Sequence, residues 1–166
     1  MKRANPTIAQ LLGSPSLLLA FGFGSGLSPK APGTAGTLAA IPFYLLLRVL
    51  TDLVYLLVVV IAFIAGIFIC AAASRRLNVH DHSGIVWDEI VGYWLTMLLA
   101  PPGWWWLIVG FVLFRVFDIL KPWPISLADK KIGGGFGIMF DDVLAAVYAF
   151  IALQSIAWIV IGYAII

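Results

Sequence analysis

The sequence predicts an all-α protein built as a polytopic membrane helix bundle, and three observations predict it. Of 166 residues, 63% are hydrophobic and only 11% are charged, whereas a soluble domain carries about a quarter charged residues. Two uncharged apolar runs, 53–73 and 143–166, reach the roughly 20 residues that a spanning helix needs. Threading the apolar runs alternately through a bilayer sorts nearly all Lys and Arg to one side. The length fits one domain over 1–166. A net charge of +2 without a basic run gives no reason to expect a nucleic-acid partner. The single cysteine, Cys70, rules out an intramolecular disulfide.

The elements follow in chain order. Residues 17–23 are a short apolar stretch with no clear cleavage site, and read as an amphipathic segment at the membrane surface. Runs 38–50 and 90–100 are short. At 1.5 Å per residue each covers about 15–20 Å of a hydrocarbon core about 30 Å thick. Such runs span only if their polar ends are buried in the bundle. Starting the second at Ile85 brings it near full length, with Asp88 and Glu89 in its first turns. Run 103–117, extended by Ile119 and Leu120, is a further crossing. Thr51-Asp52 and Pro101-Pro102-Gly103 are the turns, and Trp104, Trp105 and Trp106 read as an interfacial aromatic belt. The total is about five membrane-embedded helices, some short, plus the N-terminal surface segment.

With the N-terminus in the cytoplasm, Lys2, Arg3, Lys30, Arg75, Arg76, Lys121, Lys130 and Lys131 fall inside, and Arg48 alone falls outside. The same threading puts Asp81, Asp88, Glu89, Asp118, Asp129, Asp141 and Asp142 on the cytoplasmic side, leaving only Asp52 outside. The positive-inside rule does not require this second sorting, because acids contribute little to it. Asp88, Glu89, Asp118, Asp141 and Asp142 lie at junctions of apolar runs, where an ionisable group is costly and points to function. Asp88-Glu89 and Asp141-Asp142 each look like the opening of a crossing, so helix capping is the competing explanation. Neighbours on a helix point about 100° apart, which argues against Asp88 and Glu89 touching one ion. Clustered oxygen ligands suit Mg²⁺ or another hard cation.

Arg115, Asp118 and Lys121 recur every three residues and share a helical stripe. That stripe is either an internal ion pair with a snorkelling lysine, or a metal ligand flanked by phosphate-binding cations. The stretch 22–37 is rich in glycine and hydroxyls, carries Lys30, Thr34 and Thr37, and leads into a helix, a composition that suits an anion. It lacks the Gly-Lys-Ser/Thr ending of a Walker A loop. Gly133–Gly137 reads as a hinge or a close-packing site. Cys70 and Arg76 match a Cys-x5-Arg phosphatase signature, but the intervening residues continue a helix whose N–H groups are already used. His80, Asp81 and His82 read as a surface loop rather than a metal site.

Four stretches together resemble bacterial phosphatidylglycerophosphatase A. They are Gly24-Ser-Gly-Leu-Ser-Pro-Lys-Ala-Pro-Gly-Thr-Ala-Gly-Thr-Leu38, Trp87-Asp-Glu-Ile-Val-Gly92, Arg115-Val-Phe-Asp-Ile-Leu-Lys-Pro-Trp-Pro124 and Gly134-Gly-Phe-Gly-Ile-Met-Phe-Asp-Asp-Val-Leu-Ala-Ala146. The resemblance implies an all-helical fold with a central helix. It implies a Mg²⁺-dependent lipid phosphatase of the bacterial inner membrane, multi-pass, with its active site facing the cytoplasm. The reaction would turn phosphatidylglycerophosphate into phosphatidylglycerol and phosphate, a step of phospholipid biosynthesis. Asp88, Glu89, Asp118, Asp141 and Asp142 would then be the catalytic and metal-binding acids. Lys30, Thr34, Thr37, Arg115 and Lys121 would bind substrate. Direct water attack and an aspartyl-phosphate intermediate stay open, as do the number of metal ions and the oligomeric state. The competing classes are a membrane cation transporter, which would spread acids through the membrane depth, and a structural subunit whose acids only cap helices.

Overall fold

The computed structural model describes residues 5–79 and 82–164; His80 and Asp81 lie outside them, as do Lys2 and Arg3. The described chain is helical, with no strand among those residues. Two short N-terminal helices, α1 (Ile8–Leu12) and α2 (Pro15–Ala20), precede an irregular 3₁₀ turn over Gly22–Leu27. Then come α3 (Pro32–Leu47), α4 (Asp52–Leu77), α5 (Trp87–Thr96), α6 (Trp104–Leu120), α7 (Ile125–Lys131) and α8 (Gly134–Ala164). The N-terminal segment packs on the bundle. Leu17, Ala20 and Phe21 are buried and α2 packs on α4, while Ile8 and Leu12 are exposed.

Two helices are long and apolar enough to cross a membrane: α4, with 26 residues, and Gly134–Gly162 of α8. At 1.5 Å per residue α4 is about 39 Å long, more than the hydrocarbon core. Its exposed side is a row of Leu53, Val54, Leu57, Ile61, Ile64 and Phe68, which water would not tolerate and lipid would. Trp104 and Trp105 stack on one another at the start of α6, and both are exposed, as an interfacial belt requires.

Helix α5 is the centre of the bundle. It packs against α3, α4, α6 and α8, and six of its ten residues are buried. At about 15 Å it covers half the hydrocarbon core, which is possible because its ends are enclosed by neighbours rather than by lipid. It starts at Trp87, not at Ile85. The N–H groups just before it are spent elsewhere: Ile85 donates to the His82 carbonyl and Val86 to Ala20. Two indoles tie it to its neighbours, Trp87 donating to the Ala62 carbonyl of α4 and Trp94 to the Ala40 carbonyl of α3.

Two other helices begin earlier than their apolar runs. Helix α3 starts at Pro32, because proline is preorganised for a first helical position and its missing N–H costs nothing there. Thr34 and Thr37 are therefore helical, not loop residues. Helix α8 starts at Gly134, nine residues before run 143–166, since Ile138 and Met139 already belong to its inward stripe. That stripe continues through Asp142, Ala145, Ala146, Ala149 and Leu153, the spacing of one helical face. Within 133–137 close packing, not a hinge, is what the structure shows: a Cβ on Gly135 would overlap the Ile67 carbonyl of α4.

The bundle has two distinct ends. Arg48, Asp52, Leu98 and Ala100 line one small cavity, so the α3–α4 and α5–α6 turns share an end. The start of α3, the start of α5, the end of α6 and the first third of α8 meet at the opposite end.

Candidate active site

A cleft of about 300 Å³ opens at that second end. Asp88, Glu89, Arg115, Asp118, Lys121, Asp129, Asp141 and Asp142 all line it, with Ala31, Pro32 and Gly33 as one wall. Each acid arrives by a simple route. Asp88 and Glu89 sit in the first turn of α5. Asp118 continues the buried stripe Gly110–Phe114 of α6, and Asp142 the buried stripe of α8.

The five junction acids divide into two groups. Asp88, Glu89 and Asp142 each offer one oxygen, and the three oxygens lie within 4.8 Å of one another. Asp88 and Glu89 therefore do converge, against the expectation from their 100° separation. That separation holds at Cβ, but the carboxyl oxygens lie two or three bonds further out and can turn toward a common point. Asp88 Oδ1, Glu89 Oε2 and Asp142 Oδ2 are buried without a hydrogen-bond partner among the described residues. Asp142 is only 3% exposed. Three carboxylates this close repel unless a cation or protons neutralise them. An all-oxygen set with unsatisfied, inward-turned atoms fits Mg²⁺.

The other two acids are paired with cations. Arg115 Nη1 lies 2.6 Å from Asp118 Oδ2 and 3.8 Å from Glu89 Oε1. Lys121 Nζ bonds to Asp141 Oδ2 at 2.5 Å and to Asp129 Oδ1 at 2.7 Å. Burial opposes the charge on Lys121, but the bonds to Asp129 and Asp141 outweigh it and raise its pKa, so the ammonium stays charged. Arg115 Nε is buried and has no hydrogen-bond partner among the described residues, which leaves a donor for a ligand. The arrangement can hold a hard cation on one side and an anion, through Arg115 and Lys121, on the other.

The three remaining predicted binding residues sit differently. Thr37 is fully buried and its hydroxyl donates to the Gly33 carbonyl at 2.9 Å. Lys30 is exposed and Thr34 half-buried, and neither lines the cleft, although Ala31, Pro32 and Gly33 between them do. Two residues went unnoticed in the sequence as parts of the site. Asp129 reaches it through Lys121, a contact across eight residues that no helical period announces. Gly33 touches it by having no side chain: a Cβ there would overlap Glu89 Oε1 and lie 3.0 Å from Arg115 Nη1.

Fold and site together define a helical membrane protein with a carboxylate-and-cation cleft at one end of its bundle. The family model for phosphatidylglycerophosphatase A matches residues 18–157. The chain is 48% identical over 137 residues to phosphatidylglycerophosphatase A of Escherichia coli K12, covering 82% of this chain and 80% of that protein. It is 45% identical over 160 residues to the Haemophilus influenzae protein of the same name, covering 95% and 98%. A Bacteroides thetaiotaomicron protein named "Putative phosphatidylinositol-3-phosphatase" is 40% identical over 155 residues, covering 87% and 94%. No solved structure matches the chain. The chain belongs to the phosphatidylglycerophosphatase A family.

Proposed function

We propose that this protein hydrolyses phosphatidylglycerophosphate to phosphatidylglycerol and inorganic phosphate, with Mg²⁺, at the cytoplasmic edge of the inner membrane. The observation that carries the reading is the juxtaposition within one cleft of three carboxylates, each with one buried oxygen that has no hydrogen-bond partner among the described residues, and the two cations Arg115 and Lys121. Family membership supplies the substrate, which the side chains alone do not name. The sorting of basic residues supports the orientation, and a membrane phospholipid as product suits a step of lipid synthesis.

Arg115 and Lys121 hold the oxygens of the terminal phosphate, as charge-assisted donors do. Asp88, Glu89 and Asp142 would hold the Mg²⁺. Bound there, it would supply positive charge against the build-up on the phosphoryl and leaving oxygens. An oxygen of water forms a bond to phosphorus, the bond from phosphorus to the glycerol oxygen breaks, and the glycerol oxygen leaves with a proton. A carboxylate of the cleft accepts the proton that the water gives up. The rest of the lipid stays among the apolar outer faces of the helices, which is why a phosphatase for this substrate sits in the bilayer.

The test is phosphate release by purified protein from phosphatidylglycerophosphate, with and without Mg²⁺. Release is expected to need Mg²⁺ and to fall by roughly 100-fold or more in Asp142→Asn. Unchanged release in both cases would overturn the reading. Running phosphatidylinositol 3-phosphate beside it separates this substrate from the one in the Bacteroides relative's name.

A further inference from the structure

We propose that Asp129 is a positioning residue. From α7 it holds the Lys121 ammonium at the phosphate side of the cleft, so that α7 sets the affinity of a site otherwise built by α3, α5, α6 and α8. This rests on the phosphatase reading above.

An ammonium has three N–H donors. Lys121 gives one to Asp129 at 2.7 Å and one to Asp141 at 2.5 Å, carboxylates that come from two different helices. Two acceptors carried by different helices define where Nζ lies and leave one donor for a ligand. One acceptor would not do this. With Asp141 alone, a four-carbon stem with free rotations would let the ammonium follow that carboxylate, and the substrate would have to order it on binding.

The backbone points the same way. Lys121 caps α6 in the left-handed region, with φ 42°. That position commonly holds glycine or asparagine. The side chain, not the backbone, accounts for a lysine there. Asp129 is carried by a helix that Ile125 and Ala128, both buried, anchor in the bundle. Its carboxylate is 41% exposed, against 9% for Asp141. It therefore stands at the rim, where it steers Lys121 without occupying the inner cleft.

Charge and positioning predict opposite signs. Removing a negative charge beside an anion site tightens anion binding if charge alone matters. If Asp129 positions Lys121, removing it weakens binding. The experiment measures KM and kcat for lipid phosphate release by the full-length protein carrying Asp129→Asn, Asp129→Glu, Lys121→Gln, or Asp129→Asn together with Lys121→Gln. Asp129→Asn is expected to raise KM by about tenfold, the ratio that matches a typical coupling between touching residues, with a smaller change in kcat. Asp129→Glu should recover most of the loss. In the Lys121→Gln background Asp129→Asn should change KM by less than about twofold, since the effect travels through Lys121. A KM that falls in Asp129→Asn, or an equal effect in both backgrounds, overturns the proposal. A second readout needs no turnover. Acetylation of Lys121 by N-hydroxysuccinimidyl acetate, followed by mass spectrometry, should be faster in Asp129→Asn than in the wild type. Should the wild type release no phosphate, the phosphatase reading fails, and equal acetylation rates would then overturn the positioning as well.

Discussion

Gly33→Ala separates activity from stability more sharply than any change to a charged residue here. Gly33 is the second residue of α3, directly after Pro32, and it carries no positive φ. Its backbone therefore accepts alanine, and helix propensity favours alanine by up to about 1 kcal/mol. Against this, the new methyl would overlap Glu89 Oε1 and stand 3.0 and 3.1 Å from the two terminal nitrogens of Arg115. Overpacking of that kind costs about 1–3 kcal/mol. The two effects partly cancel, so the net loss of stability lies between about zero and 3 kcal/mol. Activity has no such offset. The methyl must push Glu89 and Arg115 apart from their 3.8 Å contact, and both groups belong to the site. A displacement of about 1 Å costs on the order of 100-fold in rate. The assay compares kcat/KM on the lipid phosphate with thermal unfolding in the same detergent. Gly162→Ala, where a Cβ meets nothing within 4 Å, controls for the substitution itself. A Gly33→Ala protein that keeps kcat/KM within about threefold of wild type would refute the close approach of α3 to the site.

Two further outcomes are expected. Arg115→Lys keeps the charge but loses the planar fork that faces Asp118 and Glu89 together, so kcat/KM should fall by roughly 10–100-fold; unimpaired turnover would show that a point charge suffices there. For orientation, Lys130→Cys in a Cys70→Ala background should resist an impermeant thiol reagent in intact cells, whereas Val49→Cys, 80% exposed at the other end, should label. The reverse pattern would invert the topology.

Apolar run lengths made the bundle legible, because spanning helices must satisfy their own backbone and show it as continuous hydrophobicity. They misplaced helix starts wherever a polar or glycine residue opens a helix inside the protein. Pro32–Thr37 reads as loop composition and Gly133–Gly137 as a hinge or close-packing site ahead of run 143–166, yet Pro32–Thr37 and the chain from Gly134 onward are helix. Asp88, Glu89, Asp118, Asp141 and Asp142 were legible as acids at run junctions. Their grouping was not, because it depends on which face of α8 meets α5. Asp129 and Gly33 escaped for a related reason: one acts through a contact between helices, the other by leaving space.

The revised start of α8 also decides between two explanations of the acids. Placed at the opening of a crossing, Asp141 and Asp142 could be helix caps. With α8 beginning at Gly134, they lie about two turns inside the helix. The N–H groups there are already bonded within the helix, and the dipole's pull fades within the first turn. Capping therefore accounts for neither residue. Asp141 has Lys121 as its partner. Asp142 has an unpartnered oxygen at 3% exposure, beside two carboxylates from α5. A buried charge without a counter-charge costs several kcal/mol, so an aspartate on the inward stripe of α8, whose other positions carry Met139, Ala146 and Ala149, needs a proton or a cation to neutralise it.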